Sequence, residues 1–156
     1  MSKAEEDNFN VQALIDNFLS EEPSRILDAS HKVINSVVSN RPLIEALVPY
    51  LDEIISTTSN LNYGGAILSN DRFVSKAIDI IKTSQTDECL CEFAFEYFGC
   101  SAERLAKSNG FLLVEPSKSE GFVSTGVIQC PVCKNKYAVI EEYTGWHTTT
   151  TGYKKL

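Results

Sequence analysis

Histidine is nearly missing from this chain: among 156 residues there are two, His31 and His147. Neither opens a His-x-Glu, because His31 runs into Lys32-Val33 and His147 into Thr148-Thr149. Gln129, rather than proline, precedes the first cysteine of the Cys-x-x-Cys at 130–133, so a zinc deaminase is excluded. No Glu-x-x-His occurs either, which removes a carboxylate-bridged metal pair. Long apolar runs are lacking, and none approaches a bilayer span. The first residues, Met1-Ser2-Lys3-Ala4-Glu5-Glu6-Asp7-Asn8, are acidic and polar, the opposite of a secretory signal, and predict a cytoplasmic protein. No fixed-period repeat is present, and Gly64-Gly65 lacks the spacing and flanking strand of a phosphate-binding loop. An excess of positive charge is also absent.

What is present suits one globular domain, or one domain with a small appended module. Hydrophobic residues make up 43% of the chain, enough to bury a core. The net charge of -7 is uneven. Residues 1–110 carry 17 acidic and 9 basic side chains, whereas residues 111–156 carry 4 and 5. The first part should repel nucleic acid and anionic membrane and favour a basic protein partner, although acidity also serves solubility alone.

The apolar spacing predicts successive helices. Asn10 is a candidate cap for a stripe of Val11, Leu14, Ile15, Phe18 and Leu19. Pro23 suits the first turn of a second helix reaching about Ser39, with His31 on its surface. Leu43 to Ile55 continues the spacing across Pro49, which predicts a kink or two short helices. Ser69-Asn70-Asp71 should cap a helix through Ile81. A further helix is expected over Glu88–Phe98, ended by Gly99, with Glu88, Glu92 and Glu96 four apart beside Phe95. That acidic stripe reads either as a solvated face or as a docking surface for a basic partner.

After a short helix at Ser101–Asn109 the period changes. Phe111–Val114 reads as a strand and 115–121 as a turn. Phe122–Gln129 pairs with Tyr137–Ile140 across the Cys-x-x-Cys, and Trp146–Thr151, rich in threonine, adds a strand. The expected fold is α+β, a helical bundle or short helical stack over 1–110 followed by a small antiparallel sheet over 111–156, packed as one globular unit.

Five cysteines without a secretory signal point to metal before disulfides. Cys130 and Cys133, on a tight turn, aim two sulfurs at one ion, and the preferred partners are Cys89 and Cys91. On a regular helix Cys89 and Cys91 diverge by about 200°. A shared site therefore requires the helix to begin at or after Cys91. Cys100 and His147 remain alternative ligands, and buried thiols acting as small hydrophobes are the plain alternative to metal. Four thiolates close the coordination sphere of a Zn2+ ion, so the metal would be structural, joining the helical part to the sheet.

Cys130-Pro131-Val132-Cys133 resembles the knuckle of zinc ribbons and rubredoxin-like modules, which implies metal and no particular activity. In its small size, acidity and want of catalytic residues the chain is similar to bacterial immunity proteins. That resemblance implies a non-catalytic cytoplasmic binder of a basic partner such as a toxin, with Glu88, Glu92, Phe95 and Glu96 as contacts and Tyr143 and Trp146 as further candidates. The alternative is a zinc-containing adaptor or regulatory protein whose C-terminal sheet, with Lys134, Lys136, Lys154 and Lys155, contacts nucleic acid or protein. An enzyme built on Cys100 or His147 ranks last.

Overall fold

The structure is a computed structural model that describes residues 3–96, 99–145 and 148–156, with side chains from Asn10 onward. Among the described residues, five helices precede, and a sixth adjoins, a four-stranded antiparallel sheet, so the fold is α+β with the sheet last. Contacts divide the chain into two compact units, residues 1–90 and 91–156. No described helix is long and apolar enough to cross a membrane.

In the first unit α1 (Lys3–Phe18) begins upstream of the expected Asn10 cap and buries Leu14, Ile15 and Phe18. Pro23 opens α2 (Pro23–Asn35), where it sacrifices only an amide that no helical carbonyl would meet. Ser30, buried in that helix, satisfies its hydroxyl on the Ile26 carbonyl at 2.8 Å. Around Pro49 the chain makes two short helices, α3 (Arg41–Glu45) and α4 (Leu51–Thr58), separated by a 3₁₀ turn at Val48–Tyr50. Asn40 caps α3 by accepting from the Leu43 amide at 3.2 Å.

Helix α5 (Asp71–Thr83) packs chiefly on α2 through Val74, Ala77, Ile80 and Ile81. Arg41 then gathers the chain beyond α5, donating to the carbonyls of Ser84 at 2.9 Å, Glu88 at 2.7 Å and Thr86. A guanidinium placed there meets carbonyls that no helical amide can satisfy. His31 is exposed against the ring of Phe73.

The second unit departs from expectation at its start. The helix expected over Glu88–Phe98 does not form: Cys91–Ala94 is a single 3₁₀ turn, and Tyr97 and Phe98 lie outside the described residues. Tyr153 supplies the reason. Its hydroxyl accepts from the Glu96 amide at 3.0 Å and donates to the Glu96 carbonyl at 2.8 Å, taking the amide that a helix would have paired with the Glu92 carbonyl. Its ring stacks on Phe95 with centroids 4.1 Å apart and planes at 5°. Tertiary packing here overrides a helical pattern.

Ser101 caps α6 (Ala102–Asn109), and Gly110 ends it in the left-handed conformation at φ 80°, which costs glycine no Cβ clash. Strands β1 (Leu112–Glu120), β2 (Val123–Gln129), β3 (Lys136–Gly145) and β4 (Thr148–Lys155) follow as a meander in the order β1-β2-β3-β4. The turn expected over 115–121 is mostly strand. β1 lies at the sheet edge, and its register shifts between Glu115 and Lys118, so Pro116 needs no ladder bond. α6 packs on β1 and β2 at Gly126, where an added Cβ would lie 2.6 Å from the Ala102 Cβ. Leu105, Ile128, Tyr137 and Val139 are buried in this unit.

Candidate metal centre

The Cys-x-x-Cys turn joins the unbroken β2–β3 ladder, whose last pair is Gln129 with Lys136. The Cys130 amide donates to the Asn135 carbonyl at 3.0 Å, and the Lys134 amide donates back to the Cys130 carbonyl at 3.0 Å. Lys134 closes the turn at φ 65°, a left-handed conformation that a non-glycine residue adopts at a cost of about 1–2 kcal/mol. Gln129 braces the same turn from its side-chain amide to the Lys134 carbonyl, 2.9 Å away.

Cys91 opens the 3₁₀ turn and Cys89 lies in the irregular stretch before it. The condition for a shared site, that no helix hold both residues, is therefore met. The sulfurs of Cys89, Cys91, Cys130 and Cys133 all lie within 4.8 Å of one another, and these four could hold a metal ion. Cys91 Sγ and Cys133 Sγ are 3.8 Å apart. A tetrahedral ion with metal–sulfur bonds of 2.3 Å needs sulfurs about 3.8 Å apart, so the donor set fits a four-coordinate site. Cys91 and Cys130 are buried, and Cys89 and Cys133 are partly exposed.

Two residues that the sequence did not single out for the site complete its surroundings. Tyr137, four positions beyond Cys133 and buried, brings its hydroxyl to 3.6 Å from Cys91 Sγ. It donates to Glu92 Oε1 at 2.9 Å. Burial first, then Cys91 and Glu92, pushes the phenol well above its ordinary range and keeps it a donor. Glu92 thus fixes a tyrosine beside the sulfur of a candidate ligand, as outer-sphere residues do in metal sites. The signal for Tyr137 was an aromatic at the start of the strand that follows the knuckle.

Cys100 stands apart from the four. It is buried, its amide donates to Thr151 Oγ1 at 3.2 Å, and burial raises its thiol pKa. His147, the other alternative ligand, lies outside the described residues, as does Trp146.

The expected partner contacts scatter. Glu88 is exposed. Glu92 is engaged by Tyr137, and the Glu96 carboxylate is 3.8 Å from the Arg104 guanidinium. Phe95 joins an aromatic cluster, stacked on Tyr153 and edge-on to Tyr137 at 4.9 Å. Tyr143 is exposed and stacks beside Phe122 with centroids 6.4 Å apart. Glu88, Glu92 and Glu96 consequently form no helical stripe.

Comparison of the chain with protein-family models, with curated proteins and with solved structures finds no match, so no related protein supplies a catalytic activity or a partner.

Proposed function

We propose that this is a non-catalytic binding protein in which a structural zinc ion, held by Cys89, Cys91, Cys130 and Cys133, fixes the second unit, and in which the acidic surface engages a basic protein partner as immunity proteins engage toxins. The observation that carries the reading is the mutual approach of four sulfurs within 4.8 Å. Four thiolates fill a tetrahedral zinc ion and leave no position for a reacting water, which favours a structural over a catalytic metal. Thiolates also favour zinc over the hard cations that prefer oxygen.

Charge supports the partner. Residues 1–90 carry 14 acidic against 7 basic side chains, while residues 91–156 carry 7 of each. A protein with that excess attracts a basic surface and accelerates its association at low salt. Glu88 and Tyr143, both exposed, remain suited to meet it. The test pairs zinc-loaded protein with basic nuclease toxins and reads binding by calorimetry at two salt concentrations. Tight binding whose association slows with salt, and which silences the toxin, is expected. Absence of binding to any basic partner at low salt removes the reading.

A second reading has one observation in its favour. The register sets Lys154 opposite Ala138, Lys155 opposite Tyr137 and Lys136 beside the turn holding Lys134, so four lysines gather at the knuckle end of the sheet. That cluster suits an adaptor contacting nucleic acid. Oligonucleotide binding that weakens with salt and is lost on Lys134→Gln with Lys136→Gln would favour it; no binding at low salt would exclude it.

A further inference from the structure

The opposite end of the same sheet carries the opposite charge. Glu120, Glu141 and Glu142 lie there, with Val123 paired to Glu142 and to Glu120, and Ser124 paired to Glu141. On the face that carries Glu141 the sheet opens a cavity of about 240 Å³. Its walls are aromatic: Phe122, 75% exposed, and Tyr143, 42% exposed. Its polar lining is Ser119, Ser124 and Glu141.

Three features of this cavity point to one kind of occupant. Phe122 and Tyr143 are exposed side by side, so the apolar surface here is a paired patch rather than one isolated ring. Two aromatic rings tilted by only 24° offer flat faces on which a planar cation can lie. Glu141 is half-buried, and the charge that bears on it is another carboxylate, Glu103 of α6. Burial first, and then that like charge, raises the Glu141 pKa, and a cation arriving in the cavity would favour its ionised form. Glu103 itself is committed elsewhere, accepting from the Ser117 amide and hydroxyl at 2.6 and 2.8 Å.

We propose that the Phe122–Tyr143 cavity is a binding site for an arginine side chain, with the guanidinium lying on the Phe122 ring and donating to the Glu141 carboxylate. Arginine fits better than lysine because its fork is planar, stacks on rings and is weakly hydrated. The seryl hydroxyls of Ser119 and Ser124 accept what the carboxylate leaves unmet. The donor of that arginine is a protein partner of positive surface charge; to this extent the inference rests on the proposed function, and it adds one contact on the sheet to the acidic excess of residues 1–90. Tyr143, expected from the sequence as a contact, takes its place in it, and Phe122 is added.

The experiment uses the full zinc-loaded chain and two probes, N-acetylarginine amide and its neutral isostere N-acetylcitrulline amide, followed by amide shifts in NMR. The arginine probe should move the amides of Ser119, Gly121, Ser124 and Tyr143 saturably, and the citrulline probe should bind at least about tenfold more weakly, since charge-assisted hydrogen bonds and cation–π contact are lost together. Glu141→Gln should reduce arginine binding by about tenfold, and Phe122→Leu should reduce it with the unaltered spectrum of β2 and β3 as the folding control. Equal binding of the two probes, or arginine binding indifferent to both substitutions, overturns the assignment. No partner is present in this experiment. A cavity that fails therefore leaves capture of a basic protein standing, and failure of capture with a working cavity strikes the broader reading alone.

Discussion

Replacing Cys130 by serine tests the metal centre most directly. Cys130 is buried, and its sulfur lies within 4.8 Å of three others. A bound structural zinc contributes about 10–16 kcal/mol of folding free energy in small thiolate sites, and a seryl hydroxyl replaces little of one ligand's share. A metal joining Cys91 to Cys130 would also close a loop of about 40 residues, a constraint worth about 4 kcal/mol in chain entropy. The second unit, residues 91–156, should possess about 3–10 kcal/mol of stability in total. Loss of the tie alone is then comparable with the whole. We expect zinc per chain, measured by elemental analysis after gel filtration, to fall from about one toward none. Amide exchange at Ile128 and Val139, both buried on central strands, should rise to the rate of an unfolded segment. Cys100→Ser is the control: it buries a hydroxyl at a cost of about 1–3 kcal/mol and should keep its zinc. A Cys130→Ser protein with full zinc and undiminished protection would refute the reasoning, and so would equal metal loss in the Cys100 variant.

Three further outcomes follow from the packing. Phe95→Ala should destabilise the second unit by about 2–3 kcal/mol, because a half-buried ring with two tight aromatic partners is removed; denaturant melting reads the loss. Gly126→Ala should cost about 1–3 kcal/mol through its clash with the Ala102 Cβ, and adding Ala102→Gly should return part of it, a coupling that a double-mutant cycle measures. Glu103 has its carboxyl held below the ordinary range chiefly by the Ser117 amide. A depressed carboxylate stabilises fully above its unfolded pKa and loses that contribution as pH falls through the folded value, so the wild type should lose stability on acidification below about pH 4 more steeply than Glu103→Gln. Parallel melting curves for the two would contradict the assigned role.

The sequence made some of this legible for reasons that were local. Cys130 and Cys133 announced themselves by spacing, and Pro23, Pro49 and Ser101 marked breaks that need no tertiary context. Cys89 and Cys91 were legible only conditionally, since their convergence required the chain to leave the helix first. The contacts that go with that departure come from far along the chain: Arg41 holds the Glu88 carbonyl, and Tyr153, nearly sixty residues away, occupies the Glu96 backbone. No local pattern could display them. The same limit hid the length of β1: Pro116 reads as a turn until its strand is known to lie at the edge with a shift of register beside it. Glu92 was legible as a charge but not as the acceptor for Tyr137, a pairing made by the fold.

The ladder between β2 and β3 runs through seven consecutive pairs without a shift, from Val123 with Glu142 to Gln129 with Lys136, whereas both outer ladders contain a shift. This divides the sheet into places where chain length is negotiable and places where it is fixed. One extra residue between 123 and 142 would turn every following side chain to the other face and rotate a pair of sulfurs away from their partners. One extra residue between 115 and 118, or beside Gly145, would enlarge an irregularity already there. Single-residue length variants should therefore be accepted at those irregularities and rejected throughout the central hairpin.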